Sequence, residues 1–209
     1  MVRPTETTTT QSLERNHMIL SILTPTIPGR EKQLHALQTR IEAQSSAPRS
    51  SGQVEHLILS DNRTRSIGAK RQALLDIARG QYIAFVDDDD DIADGYVAEL
   101  LAAAASGADV ITFLQGATYN GQQSVVDFQL GQGDHAFQPG GITNRDAWHV
   151  NAWRRSRVAH CQFGESNYGE DLTWCQQARR MAETTVHIPK ILHFYRHDAA
   201  TTAAPEPVR

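Results

Sequence analysis

The run Gln81-Tyr82-Ile83-Ala84-Phe85-Val86 passes without a break into Asp87-Asp88-Asp89-Asp90-Asp91. No other stretch constrains the fold as much. A short continuous apolar segment reads as a strand buried on both faces, the kind found inside a parallel sheet. Five adjacent carboxylates repel one another, and burying any of them unpaired is costly. Packing gives no reason for them. One reading is a solvated acidic turn that stops the strand. The sharper reading is a hard-cation site at the end of a central strand, because carboxylate oxygens suit Mg²⁺ or Mn²⁺. Side chains alternate along an extended segment, so Asp87 and Asp89 share one direction and Asp88 faces elsewhere.

The flanking chain supplies a sheet for that strand. Met18 to Leu23 is a first apolar strand, ending at Thr24-Pro25-Thr26 and a Pro28-Gly29 loop. Leu34, Leu37 and Ile41 fall at helical spacing over residues 31–44. A Ser/Pro/Gly linker precedes a second strand, Val54 to Leu59, which ends at Ser60-Asp61-Asn62. Ser66 caps a helix running to Arg79, with Gly80 as its C-terminal cap. Beyond the Asp run come a helix from Gly95 to about Ala105 and a strand from Asp109 to Leu114. Alternating strands and helices argue an α/β fold with a parallel sheet.

In such sheets ligands bind outside the carboxyl ends of the strands. Three ends carry polar signals, Thr24-Pro25-Thr26, Asp61-Asn62 and the Asp run, so they converge on one crevice. No Gly-x-Gly-x-x-Gly follows the first strand, and no P-loop lysine motif occurs. Phosphate charge would therefore be met by a metal and by Lys70 and Arg71.

The second half changes character. Glycines break residues 115–145 into hairpins and loops, and residues 144–153 read as a helix carrying Trp148 and Trp153 with exposed or half-buried rings. Arg154, Arg155 and Arg157 follow, the one group compatible with a polyanionic acceptor. Residues 170–181 read as a helix, 184–188 as a short strand ended by Pro189, and His193-Phe194-Tyr195-Arg196-His197 closes the ordered part. Residues 1–17 and 199–209 read as disordered arms around one domain at 18–198, divided into halves at 114/115. A net charge of -4 gives no global pull towards nucleic acid or an anionic membrane. Two cysteines build no disulfide framework, and no apolar stretch reaches the length of a membrane span. A cytoplasmic location is the expectation.

At this point the residues resemble a known family. Gly68-Ala69-Lys70-Arg71-Gln72-Ala73, leading through Gly80-Gln81-Tyr82-Ile83-Ala84-Phe85-Val86 into the Asp run, is similar to the nucleotide-binding half of GT-A fold glycosyltransferases of family 2. Those enzymes end a central strand on an Asp-x-Asp motif. Glu170-Asp171-Leu172 followed by Arg179-Arg180 resembles the family's Glu-Asp motif, and the closing His-Phe-Tyr-Arg-His segment is similar to family C-terminal segments. The resemblance implies a Rossmann-like, mostly parallel sheet and transfer of a sugar from a nucleotide-diphosphate sugar, UDP favoured, to an acceptor hydroxyl. It implies donor binding by Thr24, Pro25, Thr26, Asp61, Lys70, Arg71, Asp87 and Asp88. Asp89 would hold Mn²⁺ or Mg²⁺, completed by His197 or else His193. Asp171 would be the general base of an inverting reaction, with Glu170, Trp148 and Trp153 on the acceptor side.

Two other readings compete. A receiver-like signalling module also carries acidic strand ends and Mg²⁺, but it requires a later strand-end Lys that is missing here and leaves Glu170-Asp171 unexplained. An inactive sugar-nucleotide binder would keep the donor residues without the chemistry. The acceptor is open among saccharides, lipids, proteins and small molecules; nucleic acid enters only as a modified nucleobase acceptor.

Overall fold

Four strands rich in apolar residues stack side by side at the centre of the protein, in a computed structural model that describes residues 17–197. The expectations for the two terminal arms concern residues outside that range, apart from residue 17. Strand β1 (Leu20–Thr26) is buried along its whole length. It pairs in parallel with β2 (Val54–Ser60) on one side and β3 (Tyr82–Phe85) on the other. Helix α1 (Glu31–Ser45) connects β1 to β2, and α2 (Ile67–Ile77) connects β2 to β3. Ser66 caps α2 by accepting from the Ala69 amide at 3.1 Å, as its side-chain chemistry predicts.

Beyond β3 the sheet becomes mixed. The two-residue strand β4 (Asp91–Ile92) leaves the Asp run, and α3 (Tyr96–Ala104) leads to β5 (Val110–Tyr119). The first residues of β5 reach β3 through β8 (Ala152–Arg154), which is antiparallel to both. A hairpin of β5 with β6 (Gln122–Gln129), followed by β7 (Ile142–Asp146), extends the sheet, and β5 runs through the expected division at 114/115. After the short α4 (Arg155–Val158) and α5 (Glu170–Met181), β9 (Thr185–His197) pairs in parallel with β5 and antiparallel with β4. The core lies on both faces of the sheet. Leu37 and Ile41 of α1 pack with Val97 and Leu100 of α3 on one face, while Leu74 of α2 packs with Trp174 and Ala178 of α5 on the other.

Three local expectations are corrected. Residues 144–153 form no helix: they are the end of β7, a turn, and most of β8. The helical spacing there is coincidental, because Asn151 accepts from the Trp148 amide and its own amide donates back to the Trp148 carbonyl, closing a turn. Pro189 does not end a strand; β9 continues past it with register shifts against β5 at Phe113 and Leu114. Gly80 does not cap α2, whose C-cap is Ala78. Gly80 is needed for close approach instead, since a Cβ there would lie 2.5 Å from the Ser21 amide nitrogen.

Candidate active site

The three polar strand ends do meet. Thr24 is fully buried; its hydroxyl donates to the Val86 carbonyl at 2.8 Å and lies 2.9 Å from His56 Nε2. Pro25 is buried beside it. Thr26 donates to Asp88 Oδ2 at 2.6 Å, tying the end of β1 to the Asp run. Asp61 accepts from the amides of Thr64 and Arg65, closing the turn after β2. Lys70 is buried: its ammonium donates to the Thr26 carbonyl at 3.0 Å and lies 3.2 Å from Asp61 Oδ1. Lys70 and Arg71 thus turn inward from α2 into the crevice.

The five aspartates are sorted by their partners. Asp87 accepts from Arg71 at 2.9 Å, and its Oδ1 is buried without a hydrogen-bond partner. Asp88 is buried against Thr26 and Arg30, facing away from Asp87. Asp89 is the open one; its carboxylate is 45% exposed and 2.8 Å from Arg30. Asp90 is buried 3.3 Å from His193 Nε2, and Asp91 enters β4, 3.1 Å from Arg40. Burial, with Asp87 and Asp90 beside it, pushes Asp89 up to about 6 despite Arg30. Burial would also raise Asp87, but the Arg71 charge holds it below the ordinary carboxylate value.

Histidine placement differs from expectation. His193, fully buried on β9, is the histidine against the Asp run. His197 stacks on Tyr119 with ring centroids 4.4 Å apart. Even spacing puts both on one face of β9, but four residues span roughly 13 Å of strand, so His197 lies beyond the place His193 occupies beside Asp90.

The second motif arrives on α5. Glu170 is buried 3.4 Å from Arg71 Nε, and Asp171 beside it keeps its side chain 25% exposed, with Oδ2 3.5 Å from His149 Nδ1. Burial raises the Glu170 pKa, offset in part by Arg71. The N-terminus of α2 is pressed onto the loop before α5. The Gly68 amide donates to the Ser166 carbonyl at 3.1 Å, and the Ile67 amide to Asn167 Oδ1 at 2.9 Å. A Cβ on Gly68 would overlap the Gly164 carbonyl oxygen.

The two tryptophans are placed differently, and Trp153 does not show the exposed or half-buried ring expected of it. Trp153 is fully buried, donates from Nε1 to the Trp148 carbonyl at 2.8 Å, and packs edge-on against Trp174. Trp148 is half-buried, with the guanidinium carbons of Arg145 and Arg179 at 4.4 and 5.0 Å from its ring centre. The arginines after β8 form no open basic patch either. Arg154 donates to the Gly107 carbonyl, Arg155 to the Gly80 carbonyl and Arg157 to Asp109. Each guanidinium is thus engaged by a backbone carbonyl or a carboxylate of the protein itself.

Arg30 and His149 are site residues that sequence reasoning missed. Arg30 stands just before a helix in a Pro-Gly loop, so its reach across to the Asp run had no local signal. His149 was hidden inside the supposed helix. Against the Asp run opens a groove of about 990 Å³, bordered by Arg40, Asp89, Asp91, Thr118, Phe194 and Tyr195.

The buried, unpartnered Asp87 Oδ1 and the exposed Asp89 carboxylate are oxygens of the kind that suit a hard divalent cation. Among the described residues no group of three or more His, Cys, Asp or Glu is placed to hold a metal by itself. Mg²⁺ sites with one or two carboxylates completed by substrate phosphates have that character.

The model of one family, glycosyl transferase family 2, matches residues 39–162. That is more than half of the chain. The chain belongs to glycosyl transferase family 2. The match ends before Glu170, so it covers the Asp run and not the Glu-Asp motif. Among solved structures, S. aureus TarS residues 1–349 in complex with UDP-GlcNAc is 16% identical, with a TM-score of 0.63 over 90% of this chain and 62% of that one. S. aureus TarS gives 15% identity and a TM-score of 0.63 over 86% of this chain and 37% of that one. The catalytic domain of Drosophila beta1,4galactosyltransferase 7 in complex with xylobiose gives 13% and 0.51, over 84% and 67%. These likenesses give this family 2 chain the GT-A fold, and it spans less than two thirds of either TarS structure. No curated protein matches it significantly. Among the described residues no helix is long and apolar enough to cross a membrane.

Proposed function

We propose that this protein transfers a sugar from a nucleoside diphosphate sugar, UDP favoured, to an acceptor hydroxyl. The reaction uses Mn²⁺ or Mg²⁺ and inverts the anomeric carbon. One observation carries the reading: Arg71 contacts both Asp87 of the Asp run and Glu170 of the Glu-Asp pair, holding two sequence-distant acidic motifs around one crevice. The complex of TarS with UDP-GlcNAc supports the choice of UDP by analogy of fold.

In this reading the nucleoside lies over the ends of β1 and β2, near Thr24, Pro25, Thr26 and Asp61. Lys70 and Arg71, already paired with Asp61, Asp87 and Glu170, hold these strand ends together beneath the diphosphate. Asp89, exposed at the crevice, would hold the cation together with Asp87, while His193 rather than His197 meets the Asp run, at Asp90. That cation, when bound, offsets charge developing on the departing diphosphate. Asp171 takes the proton from the acceptor hydroxyl as its oxygen bonds to the anomeric carbon and the carbon–oxygen bond to the diphosphate breaks. Glu170, pinned by Arg71, fixes the start of α5 and so the place of Asp171.

The test is a donor screen. UDP-, GDP-, TDP- and CDP-sugars are incubated with the protein, with and without Mn²⁺, and release of the nucleoside diphosphate is measured. One donor class should give release that chelation abolishes. Release at full rate in EDTA removes the metal from the reading, and no release from any donor, with no thermal stabilisation by any nucleoside diphosphate, removes the function.

A further inference from the structure

We propose that His149 is a positioning residue for Asp171, holding its carboxylate by a hydrogen bond from Nδ1. This rests on the reading of Asp171 as the base. His149 sits in the turn between β7 and β8, and three contacts fix that turn: the Trp148 amide donates to Asn151 Oδ1, the Asn151 amide to the Trp148 carbonyl, and Trp153 Nε1 to the same carbonyl. The buried Trp153 is thus the anchor of the segment that presents the imidazole.

The imidazole is 6% exposed, and its edge meets the Phe85 ring at 6.3 Å. Nδ1 is buried without a formed hydrogen bond, and the nearest acidic oxygen is Asp171 Oδ2 at 3.5 Å. A buried nitrogen without a partner is costly to leave so. A separation of 3.5 Å is just beyond a good hydrogen bond, and such contacts at catalytic groups tighten when substrate is bound. Asp171 Oδ1 already accepts from the Leu172 amide at 2.8 Å. With Nδ1–H on the other oxygen, both oxygens are fixed and the carboxylate has one orientation towards the acceptor.

The charge state suits the role. Arg71, Asp171, Asp87 and His193 are the charged or titratable groups whose fields act on His149. Burial and the Arg71 charge push it down to about 4, against the opposing pull of Asp171 and Asp87. It is therefore neutral at neutral pH. A neutral donor orients the base while lowering its basicity less than an imidazolium would.

The experiment compares His149→Leu, which removes the donor at similar volume, with His149→Asn, whose amide nitrogen takes the place of Nδ1. Each is made alone and in Asp171→Asn, and assayed with the sugar nucleotide that releases its nucleoside diphosphate fastest. His149→Leu should lower kcat by roughly 10–10²-fold, the usual cost of a misplaced catalytic group, with donor KM within about twofold. His149→Asn should recover most of that loss, and neither change should matter further in Asp171→Asn. Thermal melts check folding; if the Leu variant is unfolded, His149→Ala replaces it with the same expectations. Wild-type kcat in His149→Leu, or an equal loss in the Asp171→Asn background, overturns the role of His149 while leaving the base assignment intact. A nearly active Asp171→Asn overturns both.

Discussion

Arg71 donates from one terminal guanidinium nitrogen to Asp87 Oδ2 at 2.9 Å. The same side chain, 2% exposed, lies 3.4 Å from Glu170 through Nε, and its charged carbon sits 5.4 Å from the centre of the Phe85 ring. One buried cation thus serves the end of β3 and the start of α5. Arg71→Met strips two buried carboxylates of their counter-charge, a change that costs about 3–5 kcal/mol. Urea denaturation should show that loss. Arg71→Lys should recover only part of it, because a single ammonium cannot reproduce the guanidinium's spread of donors.

The Gly68 contact makes a second prediction. Gly68→Ala places a methyl group against the Gly164 carbonyl and 3.1 Å from Glu170 Cβ. The loop before α5 must move or the helix must shift, at a cost of about 1–3 kcal/mol. Because that loop leads directly into α5 and Asp171, turnover should fall more than donor affinity. Gly107→Ala is a control of another kind: nothing lies within 4 Å of its added Cβ, but its φ is +68°. It should lose stability through strain alone and leave turnover unchanged.

Acid stability supplies the third. Burial pushes His56 down to about 4, while in the unfolded chain it titrates near 6.5. Between these values the unfolded state binds more protons, so stability rises with pH and is lost as pH falls from about 6.5 to about 4. His149 adds the same sign. Asp89 opposes them: with its value raised to about 6, the folded state holds a proton that the unfolded chain releases, so this carboxylate favours folding as pH falls towards its unfolded value. Comparing wild type with His56→Gln isolates the histidine. The difference in unfolding free energy should change with pH only in that window, by at most about 1.4 kcal/mol per unit. Parallel curves would contradict it.

Trp153→Ala should destabilise the protein by about 3–5 kcal/mol, the cost of deleting a buried aromatic from a packed core. It should also release the turn holding His149, since Trp153 Nε1 anchors the Trp148 carbonyl. Thermal melts and acceptor KM together distinguish this from an acceptor-side platform, whose loss would raise that KM in a protein of unchanged stability.

Much of the nucleotide-facing half could be read from the chain because its signals are local. A buried strand announces itself by continuous apolar residues, Ser66 announces a helix start, and the Asp run has no packing explanation. Inward-turned Lys70 and Arg71 were less evident: a basic helix residue usually faces solvent, and only acidic partners from three other segments turn these two inward. The later half resisted for the same physical reason. Whether residues 144–153 form a helix or two strands depends on partners far away in sequence, namely β6 for β7, and β3 and β5 for β8. His193 and His197 stand four residues apart and so on the same face of β9, and only the pairing of β9 with β4 shows which one reaches the Asp run.

The central claim is that Asp171 removes the acceptor proton, and Asp171→Asn tests it most directly. The change keeps shape and hydrogen bonding but removes the base. Sugar transfer, read as nucleoside diphosphate release in the presence of Mn²⁺, should fall by roughly 10²–10⁴-fold. Stabilisation of the variant by the same nucleoside diphosphate and Mn²⁺ should match wild type. Transfer within about tenfold of wild type would take Asp171, and the inverting mechanism with it, out of the account.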